Sequence, residues 1–335
     1  MKLGSGHMSA ARAVAVAAGL LAGGATQQAA AQDWPTEPIT VVVGFNAGGS
    51  TDRFVRLMAP YVAEELGAAM PVVNKGGASS QLGATYFLQR GAECNTIFGS
   101  SLSPFLQLSI LKGNASYTME DFAFINGQWG DLDLLFTGQE SRFQTLDDLI
   151  AEIRDKPRSV SAALITGGSS ELNLRLLLEN FDIPYENVNV VSYESGGKVR
   201  TAVAGGTVDF TVVSADGSTG VKDIITPIAL FTDEPLDGWD VPYANTLISE
   251  MGQPELPQVD GSLRGFAASA ECKAQHPERF QMIVDAMRAA LERDDVKAAL
   301  DEAAMGANWI GPDATDTKMN SAFDLYERYK DVMGG

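Results

Sequence analysis

The sequence predicts an α/β protein built from two similar lobes. The chain has 335 residues, which exceeds the ~250–300 residues at which a single hydrophobic core stops growing. Its composition, 45% hydrophobic and 20% charged, is typical of a globular protein. A unit of strand, glycine turn and helix also occurs twice along the chain. A repeated unit of this kind predicts two sheets, each flanked by helices.

The first unit starts with the β-branched run at residues 39–45, which is typical of a buried strand. A glycine-rich turn follows at 46–52, and apolar residues then recur with helical period up to Gly67. The second unit has a strand at 159–166, a turn at 167–171 and a helix at 172–181. At an offset of 119 the two copies align in the following pairs: Gly48 with Gly167, Gly49 with Gly168, Ser50 with Ser169, Thr51 with Ser170, Asp52 with Glu171, and Arg56 with Arg175.

The similarity continues at an offset of 120, through a second glycine turn, a helix and a further strand. That strand lies at 96–99 in the first copy and at 208–213 in the second, so each half is a βαβαβ unit. A strand at 264–268 and helices at 277–291, 294–305 and 316–332 are predicted to return to the first lobe. The predicted organisation is 32–131 for the first part of lobe one, 132–246 for lobe two and 247–335 for the return. The crossovers near 127–133 and 247–253 are then the hinge.

The N-terminus is interpreted as an export leader spanning residues 1–31, of which 1–8 resemble a cloning remnant. Arg12 precedes an apolar stretch, and Ala29 and Ala31 fit the small-residue rule before a cleavage site. We expect cleavage near Ala31 and release into the periplasm. The leader has no cysteine for lipidation, so we expect no lipid anchor. No apolar run of ~18 residues occurs elsewhere, so no membrane span is predicted.

Charge and residue counts exclude several classes of function. The formal net charge is −19, which argues against nucleic-acid binding. With only two histidines, His7 and His276, a histidine-rich metal site is not possible, and we expect neither metal nor cofactor. Cys94 and Cys272 are too far apart in sequence for a CxxC pair. They form either one disulfide or two isolated thiols, and both alternatives stay open at this stage.

The repeated turn predicts a site for a small anion. Glycines between a strand and a helix leave backbone N–H groups free at a helix N-terminus, where the helix dipole adds positive potential. The alternative is that Ser50 and Ser169 only cap their helices. Asp52 and Glu171 are interpreted as first-turn acids, with Arg56 and Arg175 as their partners. The candidate ligand-binding residues of the two turns are Ala47, Gly48, Gly49, Ser50, Thr51, Thr166, Gly168, Ser169 and Ser170.

Three further segments are predicted to line the same cleft. They contribute Ser79 from the turn at 74–80, Ser101 after the third strand, and Tyr193 and Ser195 from the turn at 193–197. Lys75 is the only base in the four glycine turns, and its alternative role is a solvated loop charge. Because the chain is acidic overall, attraction of an anion has to be local to the cleft.

These motifs together resemble the periplasmic solute-binding proteins of tripartite tricarboxylate transporters, over the whole chain after the leader. The resemblance rests on the order of Trp-Pro-Thr-Glu-Pro-Ile at 34–39, Gly-Gly-Ser-Thr-Asp at 48–52, Val-Asn-Lys at 73–75, Phe-Gln-Thr-Leu-Asp-Asp-Leu at 143–149, Thr-Gly-Gly-Ser-Ser-Glu-Leu at 166–172, Gly-Gly-Thr-Val-Asp at 205–209 and Asp-Val-Pro at 240–242.

The resemblance implies a two-lobed, type II-like periplasmic binding protein that closes over a carboxylate like a Venus flytrap. The two glycine turns would hold the carboxylate, partly through water, and the loaded protein would pass it to a large and a small membrane subunit. We expect a monomer that is not an enzyme. Asn46-Ala47, Gly76, Ser79-Ser80 and Glu171 depart from the usual family residues. The ligand is expected to be a di- or tricarboxylate, with an aromatic body as one option.

Two other classes compete with a transport protein. A ligand-capture subunit of a membrane sensor would use the same fold and cleft, and genomic neighbours would separate it from a transport protein. An enzyme acting on a small anionic substrate is disfavoured, because neither turn continues into GK[ST] and no general base lies nearby in sequence. A turnover assay would separate that class.

Overall fold

The computed structural model describes residue 1 and residues 34–165, 167–193 and 195–333. The predicted leader, apart from its first residue, and the site candidate Thr166 lie outside the described residues. Over these ranges, the strands form two five-stranded sheets. No helix in the same ranges is both long enough and apolar enough to cross a membrane.

The first sheet combines strands from both ends of the chain. Its spatial order is β2 (Val72–Asn74), β1 (Thr40–Val43), β3 (Thr96–Ser103), β10 (Leu263–Ser269) and β4 (Phe122–Gly130). β1 pairs in parallel with β2 and with β3, whereas β10 runs antiparallel between β3 and β4. After β1 the chain adds β2 on one side of it and then β3 on the other side. The carboxyl ends of β1 and β3 therefore border a crevice of the kind where open α/β sheets bind ligands.

The second sheet repeats this arrangement. Its spatial order is β7 (Val188–Ser192), β6 (Val160–Leu164), β8 (Phe210–Ser214), β5 (Asp133–Gly138) and β9 (Ile225–Leu230). β6 pairs in parallel with β7 and β8, and β5 runs antiparallel between β8 and β9. The predicted α/β class, with a βαβαβ unit in each half, is confirmed.

Helices cover both faces of each sheet, so each sheet lies between two apolar clusters. Short 3-10 helices occur at Met119–Asp121, Tyr185–Asn187 and Asp216–Ile224. In chain order, the α-helices of the described residues are α1 (Ser50–Leu66), α2 (Gln81–Leu88), α3 (Phe105–Leu111), α4 (Leu146–Asp155), α5 (Ser169–Asn180), α6 (Gly196–Ala204), α7 (Ala244–Glu250), α8 (Ala270–Gln275), α9 (Pro277–Glu292), α10 (Asp294–Glu302) and α11 (Gly311–Arg328).

Several element boundaries differ from the sequence prediction. β3 continues to Ser103 because β10 pairs with residues 98–103. α11 begins five residues earlier than predicted, at Gly311. Its first turn contains a proline, which is tolerated there because N–H groups in the first turn of a helix have no intrahelical acceptor. α5 begins at Ser169 rather than at residue 172. The serines predicted to lie in the second turn therefore lie in the first turn of a helix.

The chain passes between the sheets at two places that lie side by side. Residues 131–132 connect β4 to β5, and residues 251–262 lead from α7 back to β10. The N–H of Asp131 donates to the carbonyl of Ser262 at 3.0 Å and so joins the two crossovers. Residues 127–130 lie in β4 and residues 247–250 lie in α7. The lobe boundaries 32–131, 132–246 and 247–335 stay a prediction.

A disulfide links the two chain segments that build the first sheet. Cys94 follows α2, Cys272 lies in α8, and the two are bonded and fully buried. Of the two alternatives left open by the sequence, the structure shows the disulfide.

Candidate functional site

A cavity of about 420 Å³ lies between the two sheets. Its size falls in the range of pockets that hold small molecules. The first lobe contributes the turn after β1, Ser101, Phe105 and the start of β10. The second lobe contributes Ile165 and the start of α6. The lining residues are Phe45, Asn46, Ala47, Gly48, Gly49, Ser50, Thr51, Arg53, Ser101, Phe105, Ile165, Ser195, Gly196, Gly197, Lys198, Arg200, Ser262 and Arg264.

The cavity brings together only part of the predicted site. Seven predicted residues line it, namely Ala47, Gly48, Gly49, Ser50, Thr51, Ser101 and Ser195. Five described candidates do not line it, namely Ser79, Gly168, Ser169, Ser170 and Tyr193. The first turn therefore faces the cavity, and the second turn lies beside it.

The first turn is held by an acid in the helix that follows it. The Asp52 carboxylate accepts from the N–H of Gly48 at 2.8 Å and from Arg56 Nε at 2.9 Å. Burial raises the pKa of Asp52, but the hydrogen bonds from Gly48, Arg56 and Asn74 outweigh it, so the net pKa is lowered. Asp52 is therefore charged at neutral pH and fixes the turn. The N–H groups at the start of α1 have no intrahelical acceptor and remain available to an anion.

The second turn repeats this arrangement atom for atom. The Glu171 carboxylate accepts from the N–H of Gly167 at 2.8 Å and from Arg175 Nε at 3.0 Å. The interpretation of Asp52 and Glu171 as first-turn acids paired with arginines is therefore confirmed. The alternative role of Ser50 and Ser169 as helix caps is wrong. The cap positions are Gly49 and Gly168, and the serines are the first helical residues.

The hydroxyls of the second turn serve a buried carboxyl group rather than the cavity. Asp133, at the start of β5, accepts from Ser170 Oγ at 3.2 Å and from Asn173 Nδ2 at 3.0 Å. Burial raises the pKa of Asp133 to about 6, helped by the nearby charge of Asp131, and hydrogen bonds from Ser169, Asn173 and Ser170 oppose the rise.

Asp133→Asn is expected to gain stability relative to wild type as the pH rises from about 4 to about 7. The folded pKa of about 6 lies above the ordinary 3.8. The stabilising contribution of the protonated carboxyl is therefore present below pH 3.8 and is lost as the pH rises through 6. The difference between the variant and wild type should grow by roughly 2–3 kcal/mol. Urea unfolding at both pH values measures it. The exposed Asp324→Asn is the control, and a pH-independent difference for Asp133→Asn would contradict the assignment.

Packing explains why the second turn lies at the seam between the lobes. Leu172 and Leu176 of α5 join an apolar cluster with Leu108 of α3 and Tyr326 of α11. α5 is thereby held against helices of the first lobe. A Cβ on Gly167 would lie 3.6 Å from Lys112 Nζ and 3.9 Å from Ser79 Oγ. The second turn is thus next to Ser79 of the first lobe, outside the cavity.

The turn before α2 has an unusual backbone. Ala78, Ser79 and Ser80 have φ values of 47°, 51° and 81°, in the left-handed region that glycine adopts without penalty. Ser80 Oγ lies 3.2 Å from Ser100 Oγ, and this contact helps to hold the turn.

The fourth glycine turn supplies the second helix N-terminus at the cavity. Ser195 is the N-cap residue of α6, and Gly196 and Gly197 start that helix. All three residues line the cavity. The helix N-termini that face the cavity are therefore those of α1 and α6, rather than those of α1 and α5.

Sequence reasoning missed the basic side chains of the cavity, namely Arg53, Lys198, Arg200 and Arg264. The base that it singled out, Lys75, instead lies with its Nζ 4.5 Å from the ring centre of Tyr86. Lys198 and Arg200 did carry a signal, because basic residues near a helix N-terminus oppose the helix dipole. Arg264 carried none, because only the placement of β10 between β3 and β4 brings it to the cavity.

Trp129 packs against Arg264, one of the basic residues of the cavity. Trp129 is almost fully buried, its Nε1 donates to Asp216 Oδ2 at 3.3 Å, and the guanidinium of Arg264 lies 4.2 Å above its ring. Trp129 thus has a packing role in the structure.

The cavity combines two helix N-termini, hydroxyl groups, basic side chains and the apolar surfaces of Phe45, Phe105 and Ile165. Among the described lining residues there is no acid. Within the described part of the chain, no group of three or more His, Cys, Asp or Glu side chains is arranged to hold a metal ion. The arrangement suits a small anion with an apolar body.

Comparison with known proteins finds relatives in the Bug and UPF0065 groups and solved structures of the same fold. No family model matches the chain. It is similar to the protein BugT of Bordetella pertussis, with 31% identity over 190 residues, 56% of each chain. It is also similar to a UPF0065 protein from the TAR-I ttuE-ttuC′ intergenic region of Agrobacterium vitis, with 26% identity over 247 residues, 72% of this chain and 66% of that one. The matched region thus spans less than two thirds of either relative.

Solved structures share the fold over most of the chain. A Rhodopseudomonas palustris protein solved with adipate has a TM-score of 0.75 at 22% identity, covering 90% of this chain and 99% of that one. MatC from the same organism, with bound malate, has a TM-score of 0.74 at 20% identity, covering 90% and 100%. The periplasmic binding protein BugD has a TM-score of 0.73 at 18% identity, covering 89% and 98%. The predicted resemblance to Bug/TctC-like solute-binding proteins, and the two-lobed fold, are confirmed.

Proposed function

We propose that the chain is a periplasmic solute-binding protein that captures a small organic carboxylate between its lobes. It delivers that carboxylate to the large and small membrane subunits of a tripartite tricarboxylate transporter. The ligand is a di- or tricarboxylate, and the protein does not transform it.

The observation that carries this proposal is the composition of the inter-lobe cavity. The turn at 47–51 presents backbone N–H groups and hydroxyls at the N-terminus of α1, and four basic residues also line the cavity. A carboxylate satisfies donors of both kinds. The proteins of the same fold that were solved with adipate and malate support this ligand class.

A thermal-shift screen of purified protein against organic acids tests the proposal. Carboxylates should raise the melting temperature in a concentration-dependent way, because a ligand that binds only the folded state stabilises it. Mass spectrometry should recover the bound acid unchanged. Stabilisation by sugars or amines alone would contradict the proposal, and chemical conversion of the acid would favour an enzyme.

Ser50→Ala is expected to weaken carboxylate binding about ten- to hundredfold. Ser50 lines the cavity, and a lost hydrogen bond to a charged group costs about 1.5–3 kcal/mol. The matched control is Ser169→Ala, the equivalent serine of the second turn, which faces Asp133 and should leave affinity within about twofold. Isothermal titration calorimetry measures both. Equal losses in the two variants would mean that both turns hold the ligand.

A further inference from the structure

Arg264 is the most deeply buried base of the cavity. It is 7% exposed, and its Nη1 donates to Asp131 Oδ2 at 2.6 Å. Its Nε is buried without an acceptor among the described residues. Irregularities in the register of β10 with both neighbouring strands occur at Arg264. Such bulges redirect a side chain beside a site. The side chain is thus aimed at the cavity with unused donor capacity.

Arg200 approaches the same region from the second lobe. A Cβ atom on Gly217 would lie only 2.8 Å from Arg200 Nη1, and one on Gly196 only 2.9 Å from it. The absence of side chains at these two glycines therefore leaves room for the guanidinium of Arg200. Arg200 is half-buried and has no ion pair within the described part of the chain. Burial lowers the pKa of Arg200 to about 10, and the nearby charges of Arg264 and Arg53 lower it too, whereas the charge of Asp131 opposes this shift. Its charge is therefore incompletely compensated.

The acids behind the cavity do not balance these bases. Asp131 pairs with Arg264, and Asp216 accepts from Trp129. Burial raises the pKa of Asp216, and Asp131 adds to that rise. Arg200 also faces the cavity, as does Arg53. A ligand with one carboxylate at the α1 turn would leave the guanidinium of Arg200 without a counter-charge.

We propose that the guanidinium groups of Arg200 and Arg264 form a second anion subsite, which binds the other carboxylate of a dicarboxylate ligand with an apolar spacer. This inference rests on the proposed function, because the first carboxylate occupies the turn at 47–51. The apolar walls formed by Phe45, Phe105 and Ile165 contact the spacer. Two guanidinium groups from opposite lobes provide paired, charge-assisted hydrogen bonds to one carboxylate. Inorganic anions lack the apolar body that these walls require.

Matched acids test the proposal by isothermal titration calorimetry. Succinate, glutarate, adipate and phthalate are compared with butyrate, valerate, hexanoate and benzoate, which differ from them by one carboxylate. Wild type should bind at least one diacid tenfold or more tightly than its matched monoacid. Arg200→Gln should remove most of that preference, because it should weaken binding of the diacid more than binding of the matched monoacid. Arg288→Gln, at an exposed arginine of α9 outside the cavity, is the control and should retain the preference.

The failures of the two proposals are distinguishable. If Arg200→Gln keeps the preference, the subsite of Arg200 and Arg264 is overturned and the proposed function stands. If wild type binds monoacids as tightly as every matched diacid, the subsite and the di- or tricarboxylate ligand class are both overturned, and only carboxylate capture stands. If none of the eight acids binds, both proposals fail. Arg200→Lys keeps the charge but loses the planar fork, so it should recover only part of the preference.

Discussion

Removing the Cys94–Cys272 disulfide is expected to lower the free energy of unfolding by about 3–5 kcal/mol. The bond closes a loop with a sequence separation of 178 residues. The entropy that a cross-link removes from the unfolded chain rises with loop length. The whole second sheet lies inside this loop, between the two chain segments that build the first sheet. Without the bond, these segments are held together by packing, by the pairing of β10 and by exposed ion pairs such as Arg279 with Glu93.

Urea unfolding of Cys94→Ala/Cys272→Ala, with and without dithiothreitol, measures this contribution. Wild type treated with dithiothreitol should match the double variant, and the double variant should not respond to dithiothreitol. Both cysteines are buried in the same apolar cluster, so alanine leaves no unpaired polar group there. Two free thiols in denatured, unreduced wild type would contradict the pairing.

The sequence predicted the local chemistry of the site well, because neighbouring residues determine it. Asp52 with Arg56 and Glu171 with Arg175 each lie four residues apart in a helix, a spacing at which side chains meet whatever the rest of the fold does. Because the motif is repeated, the same pairing of an acid with an arginine is predicted in both turns. The alternative that Ser50 and Ser169 cap their helices is wrong by one residue. The preceding glycines are the N-caps, and the two serines are the first helical residues.

What the sequence could not show depends on long-range placement. Arg264 reaches the cavity because β10 is inserted between strands that precede it by more than 130 residues. Ser170 faces Asp133 because α5 packs at the seam with Leu108 and Tyr326, which are far away in sequence. A motif identifies a turn with free donors. Only the packing of the whole chain decides which ligand or side chain uses them.

Asp131→Asn is expected to destabilise the unliganded protein by about 3 kcal/mol and, at the same time, to tighten binding of anions. Asp131 is 6% exposed and is the ion-pair partner of Arg264. Its other oxygen accepts from the N–H of Ser262 at 2.8 Å, which fastens the two crossovers. Asparagine keeps an acceptor for Ser262 but leaves the buried guanidinium without its counter-charge. Removing one partner of a buried pair is strongly destabilising.

The same substitution removes a negative charge from behind the cavity. Arg264 is then more attractive to an anion, and carboxylate affinity should rise roughly three- to tenfold. The melting temperature of the free variant should therefore fall, whereas the shift produced by saturating ligand should grow. Part of the destabilisation is offset, because Asp131 also raises the pKa of Asp133.

Asp133→Asn is the matched control for this experiment. It changes a buried acid two residues further along the chain, but its partners are Ser170 and Asn173 rather than Arg264. At neutral pH it should stabilise the free protein and leave affinity within about twofold, so the two substitutions should differ in the sign of their effect on stability. Differential scanning calorimetry with and without ligand measures both quantities. A variant Asp131→Asn that is less stable and also binds carboxylates more weakly would show that Arg264 must be paired in order to bind. The electrostatic account of the cavity would then be wrong.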